Sequence, residues 1–111
     1  MNIKISQQQD VTLITLSGEI HRQTAPMIQE EITPLVIPDC KILLDMRDVT
    51  YMSSAGLRLM LLFYRQVETQ NGRIALTGLQ EMVRDTMSIT GFLEFFAVYD
   101  TIEEGIASLK N

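Results

Sequence analysis

The stretch Ile42-Leu43-Leu44-Asp45-Met46-Arg47-Asp48-Val49-Thr50-Tyr51-Met52-Ser53-Ser54-Ala55-Gly56-Leu57 leads from an apolar run, through two adjacent hydroxyls, into a helix start. Ile42 to Leu44 has the unbroken apolar character of a strand buried on both faces, whereas Leu57 to Val67 shows helical periodicity. Ser53 and Ser54 therefore fall near a helix N-terminus. Free backbone N–H groups and the positive end of the helix dipole favour an anion there, a phosphate included. Two readings fit the spacing. A serine can be an N-cap that satisfies one orphan N–H and contributes about 1 kcal/mol, or it can be a phosphorylatable switch.

Working outward, strands and helices alternate without repeats, linkers or low-complexity tracts. Ile3 and Ile5, then Val11 to Leu16, predict two strands joined by a polar turn through Gln7 to Asp10, the second ending at Gly18. Thr24 can cap a short helix with Pro26 near its first position and Met27, Ile28, Ile32 and Leu35 as apolar contacts, terminated around Pro34 and Pro38. A third strand covers Lys41 to Asp45. The second helix runs from about Ser54 to Gln70 and is stopped by Asn71-Gly72; Arg73 to Thr77 follow as a fourth strand. Leu79 to Ile89 predict a third helix and Phe95 to Tyr99 the last strand. Thr101-Ile102-Glu103-Glu104 is a capping box that opens a C-terminal helix. The expectation is a single α/β domain over residues 1–111, a mixed sheet of about five strands with about four helices packed against it.

Composition narrows the function. At 111 residues and 46% hydrophobic content the chain can bury one ordinary core. A net charge of −5 argues against nucleic acid, whose phosphates call for Lys and Arg. The single Cys40 has no disulfide partner, and one thiol with one histidine makes no recognisable zinc site. Cys40, beside Lys41 at a strand start, reads as a small core residue. The N-terminal residues Met1 to Ser6 lack a hydrophobic signal core, and no apolar run approaches the ~20 residues that cross a bilayer. A free-standing cytoplasmic domain without a membrane segment is expected.

On the second helix, Ser54, Arg58, Leu62, Arg65 and Thr69 share a stripe, while Leu57, Met60, Phe63, Tyr64 and Val67 point mostly inward. Leu62 is the apolar member of that polar stripe. It is either a helix-flank leucine partly covered by its neighbours or the centre of a docking patch rimmed by Arg58 and Arg65.

The segment Asp45 to Met60 resembles the signature of the STAS family, the domain shared by sulfate transporters and bacterial anti-sigma factor antagonists. That signature runs approximately apolar-Asp-x-x-x-Val-x-Phe/Tyr-Met/Ile-Asp-Ser-Ser-Gly-Leu, and Tyr51-Met52 with Gly56-Leu57 set its register here. Leu16-Ser17-Gly18-Glu19-Ile20 is similar to the family's Leu-x-Gly-x-Leu-Asp element, and Asp100 to Leu109 to its closing helix. The resemblance implies a single STAS domain and places Ser54 on the antagonists' phosphoacceptor, with Ser53 as the alternative acceptor. Three positions depart from the pattern. His21 and Ser53 each stand where an Asp is usual, and Ala55 replaces the second serine.

By resemblance, the chain works as a phosphorylation-controlled partner switch with no turnover of its own. A serine kinase of the anti-sigma type, related to histidine-kinase ATPases, would phosphorylate Ser54 with ATP, and a metal-dependent serine phosphatase would reverse the step. The unphosphorylated form would bind the kinase or anti-sigma factor and release a sigma factor or another regulator. The expected partner surface comprises His21, Ser53, Ser54, Gly56, Arg58, Leu62 and Arg65. An alternative implied by the same family is a STAS subunit of a larger signalling or lipid-transport assembly.

Enzyme readings fare worse. Ser54 and His21 could in principle make a small hydrolase, but a lone histidine in a loop has no visible orienting partner and more often solvates or caps. Asp45 and Asp48 could bind Mg²⁺, yet carboxylates at strand ends and turns more often solvate or cap. The glycines are scattered singly, so no phosphate-cradling loop is present. No cofactor and no metal are expected.

Overall fold

The computed structural model describes residues 1–110. Its sheet has five strands in sequential order: β1 (Asn2–Gln8), β2 (Val11–Ile20), β3 (Lys41–Met52), β4 (Arg73–Thr77) and β5 (Ala97–Tyr99). β1 lies antiparallel to β2, as a short turn requires, and the remaining pairs are parallel. Each parallel step is made by a helix: α1 (Ala25–Ile32), α2 (Ser54–Thr69) and α3 (Glu81–Ile89), with α4 (Ile102–Leu109) closing the chain. The strands' period of two sorts side chains to opposite faces. Ile14, Leu16, Ile42, Leu44, Met46 and Leu76 pack with residues of α1, α2 and α3, whereas Val11, Leu13, Leu43 and Ala75 pack with Leu109 of α4. The mixed five-stranded sheet with four helices is therefore the architecture the sequence predicts.

Several boundaries differ, for identifiable reasons. β2 does not end at Gly18 but continues to Ile20, because Gly18 adopts φ 120° at a shift in register and lets the strand run on. β3 does not end at Asp45 but reaches Met52, and Met46, Val49 and Met52 are buried between exposed Arg47, Asp48, Thr50 and Tyr51. Thr24 precedes α1, but its hydroxyl does not cap the helix. It donates to the Glu19 carbonyl (2.8 Å) and accepts from the His21 N–H (3.0 Å), so it ties down the turn instead. α3 starts at Glu81 instead of Leu79, after an extended Gln80. β5 starts at Ala97, since Phe92–Phe95 form a 3-10 turn. The capping box of α4 is present in both directions between Thr101 and Glu104.

Candidate functional site

The long β3 delivers the serine doublet directly to α2. Ser53 is the N-cap of α2, in extended conformation (φ −85°, ψ 178°), and its Oγ accepts from the Gly56 N–H at 3.4 Å. Its own N–H donates to the Ile20 carbonyl at 2.9 Å, which pins the start of α2 to the carboxyl end of β2. Ser54 is the first helical residue and is exposed, whereas Ser53 is half-buried. The capping role that spacing allowed to either serine thus falls to Ser53, and Ser54 stands exposed at the first helical position.

Ile20 and Met52 are partners in the parallel register, so the residues that follow them, His21 and Ser53, leave the sheet side by side. His21 is half-buried in the turn; its Nδ1 accepts from the Gln23 N–H (3.2 Å) and its Nε2 lies 3.9 Å from Glu19. Gly56 lies beneath this surface, buried. A Cβ there would stand 2.7 Å from Met52 Cγ and 2.9 Å from both Ile20 Cγ2 and the Ile20 carbonyl oxygen. Glycine at this position lets the helix sit against the strand ends, and Gly56 itself presents nothing to a partner.

Along α2 the predicted stripe divides. Ala55, Arg58, Leu59 and Leu62 line a groove against Ala25 and Gln29 of α1. Leu62 is half-buried and packs on the core, so it is the covered flank leucine more than the centre of an open patch. Arg65 is exposed but lines a separate cleft with Thr33, Val36, Gln66, Thr69 and Gln70. The residues that share the serine end are His21, Ser53, Ser54, Ala55 and Arg58, with exposed Tyr51 on the approach. Ala55 and Tyr51 are not in the partner surface expected from sequence, although their positions flanking the doublet were the available signal.

Asp45 is not a solvating strand-end carboxylate. It lies inside β3, 1% exposed, held by its i+2 neighbour: Arg47 Nε and Nη2 reach its two oxygens at 3.2 and 3.1 Å, and the Arg47 N–H adds a third bond at 3.2 Å. Asp45 in turn raises the Arg47 guanidinium pKa above its ordinary value. Gln80 Nε2 donates to the Arg47 carbonyl at 2.7 Å, so the pair also anchors the approach to α3. This bidentate use of Asp45 explains the residue without a metal. Cys40 is buried, and burial raises its thiol pKa, consistent with a small core residue.

Residues 2–105 match the model of the STAS domain, and the chain belongs to that family. Its relatives narrow the class further. The anti-sigma-B factor antagonist of Bacillus subtilis is 26% identical over 106 residues, spanning 96% of this chain and 97% of its own. BtrV of Bordetella bronchiseptica, given the same class of name, is 29% identical over 111 residues, 99% of this chain and 96% of its own. Among solved structures, the anti-sigma factor antagonist SpoIIAA in its unphosphorylated form superposes with a TM-score of 0.80 at 21% identity, over 98% of this chain and 96% of that one. Bacillus SpoIIAA in the phosphorylated form gives 0.71 at 20% identity, over 96% and 98%. These relatives are named as regulators, not as enzymes. Among the described residues no helix is long and apolar enough to cross a membrane.

Proposed function

We propose that this chain is an anti-sigma factor antagonist acting as a serine-phosphorylation switch, with Ser54 as acceptor. The observation that carries the reading is the division of labour in the doublet: Ser53 Oγ is committed to capping α2, and exposed Ser54 stands at the helix start beside Arg58. The class of name shared by the relatives, and the existence of SpoIIAA in phosphorylated and unphosphorylated forms, support it. A kinase of the anti-sigma type transfers the γ-phosphoryl group of ATP to Ser54 Oγ; the new P–O bond replaces the bond to ADP, and the hydroxyl proton passes to a base on the kinase. A metal-dependent phosphatase returns Ser54 by hydrolysis. The chain is the substrate throughout and acts in the cytoplasm.

The physical switch is local. Phosphate brings about −1.5 to −2 charges to a surface where a partner must exclude water to dock, so the cost of desolvating the new charge opposes binding. The fold tolerates it, because the helix N-terminus favours an anion by roughly 0.3 to 1 kcal/mol. Calorimetric titration of the anti-sigma kinase tests the reading. Wild type and Ser54→Ala should bind alike, whereas Ser54-phosphorylated protein should bind at least about tenfold more weakly, some 1.4 kcal/mol. Equal affinity for the phosphorylated protein removes the switch.

A further inference from the structure

The outer face of α3 carries the two most exposed large apolar side chains in the described residues. Ile89 is 86% exposed and Met82 63%. They are seven residues apart, two helical turns, and so stand on one line along the helix while Val83 and Met87 fill the core. Gln80, Glu81, Asp85 and Thr86 complete the walls of a groove of about 550 Å³ along this face. Isolated surface hydrophobics are ordinary, but here two of them line one groove, which makes this face a candidate interaction surface. This face lies on a different helix from Ser54 and takes no part in the switch described above.

The charges on the groove select its occupant. Both ionised side chains that line it, Glu81 and Asp85, are acidic. A second copy of this chain fits poorly: antiparallel packing about a twofold would set Met82 against Ile89 of the copy and bring the two Asp85 carboxylates together near the axis, with no cation in the groove to separate them. A bilayer surface fits poorly too, since acidic groups are repelled by anionic headgroups. We propose that α3 docks an amphipathic helix of another protein, which lays apolar residues between Met82 and Ile89 and directs Lys or Arg to Glu81 and Asp85. This is the helix-in-groove mode, with anchors at the one-heptad spacing the groove presents.

The test uses the full chain, ¹⁵N-labelled, and a designed helical peptide of about 14 residues, near the minimum length for helicity in water. One version carries Leu along one face and Lys beside it; the other has Glu in place of Lys. The Lys peptide should shift the amides of residues 80–90 saturably with a dissociation constant below about 1 mM, and the Glu peptide should bind at least about tenfold more weakly. Met82→Ser with Ile89→Ser alters only exposed positions, so the variant should stay folded by circular dichroism and lose the Lys-peptide response. Four results overturn the proposal: no saturable shift up to about 2 mM peptide, shifts centred away from α3, equal binding of the Glu peptide, or unchanged binding by the folded double variant.

Discussion

Replacing Gly56 by alanine probes how tightly α2 is seated on the strand ends. The added methyl would lie 2.7 Å from Met52 Cγ and 2.9 Å from Ile20 Cγ2, atoms next to the Cβ of buried side chains that rotation within the packed core cannot readily move away. It would also lie 2.9 Å from the Ile20 carbonyl oxygen, which is backbone and accepts the Ser53 N–H at 2.9 Å. Moving that oxygen disturbs the N-cap. Overpacking of this kind costs about 1–3 kcal/mol, and the involvement of backbone places it in the upper part of the range. Alanine's better helix propensity returns up to about 1 kcal/mol. The net is a destabilisation of about 1–2 kcal/mol, or roughly 4–8 °C in Tm for a domain of this size. Urea denaturation followed by circular dichroism measures it, with unchanged m-values confirming that only stability has moved. A Gly56→Ala protein as stable as wild type, or more so, would refute the close seating of α2 and return Gly56 to the set of possible contact residues.

The two serines should separate thermodynamically. Ser53→Ala removes the N-cap and should cost about 0.5–1 kcal/mol, the low part of the capping range because the bond is long at 3.4 Å, whereas Ser54→Ala should stay within about 0.5 kcal/mol of wild type; paired urea titrations decide it, and a larger loss for Ser54→Ala reverses the roles. Leu62→Asp puts a charge on a half-buried, core-packed position and should lower stability by about 1–3 kcal/mol, so Arg58→Glu is the cleaner probe of docking; an undiminished Tm for Leu62→Asp would mean an open Leu62. Asp10 pairs with Lys41 at 2.7 Å, which lowers its native pKa below the ordinary 3.8. A depressed carboxylate stabilises the fold above its unfolded pKa and loses that contribution as pH falls through the native one. The stability gap between wild type and Asp10→Asn should therefore be present at neutral pH and close in acid below 3.8; a gap that widened in acid would contradict the sign.

Most of the fold was legible because periodicity and punctuation agreed. Asn71-Gly72, Pro26 and the Thr101–Glu104 box mark helix ends through local chemistry, and they hold. The ends of β2 and β3 were not legible, since a glycine at positive φ usually closes a strand, and here Gly18 absorbs a register shift within one. The charged residues after Asp45 looked like loop, although Met46, Val49 and Met52 continue the burial of β3. The role of Asp45 is hidden for the same reason: its partner Arg47 stands two residues on, and the pairing follows only when the strand persists past Asp45. In the site, Ser53 and Ser54 were indistinguishable by spacing, because a cap and its neighbour differ by a single residue of helix boundary. Arg65 shared the stripe of Arg58 on a helical wheel, yet Arg58 lines the groove against α1 whereas Arg65 lines a separate cleft beside Thr33 and Val36.

Which hydroxyl receives the phosphate decides how the switch works. Fragment mass spectrometry of wild-type, Ser53→Ala and Ser54→Ala proteins, each incubated with the anti-sigma kinase and ATP, reads it directly. One phosphate on Ser54 in the wild type, retained in Ser53→Ala and absent from Ser54→Ala, is the predicted result. Phosphate on Ser53, or full labelling of Ser54→Ala at any site, would contradict it.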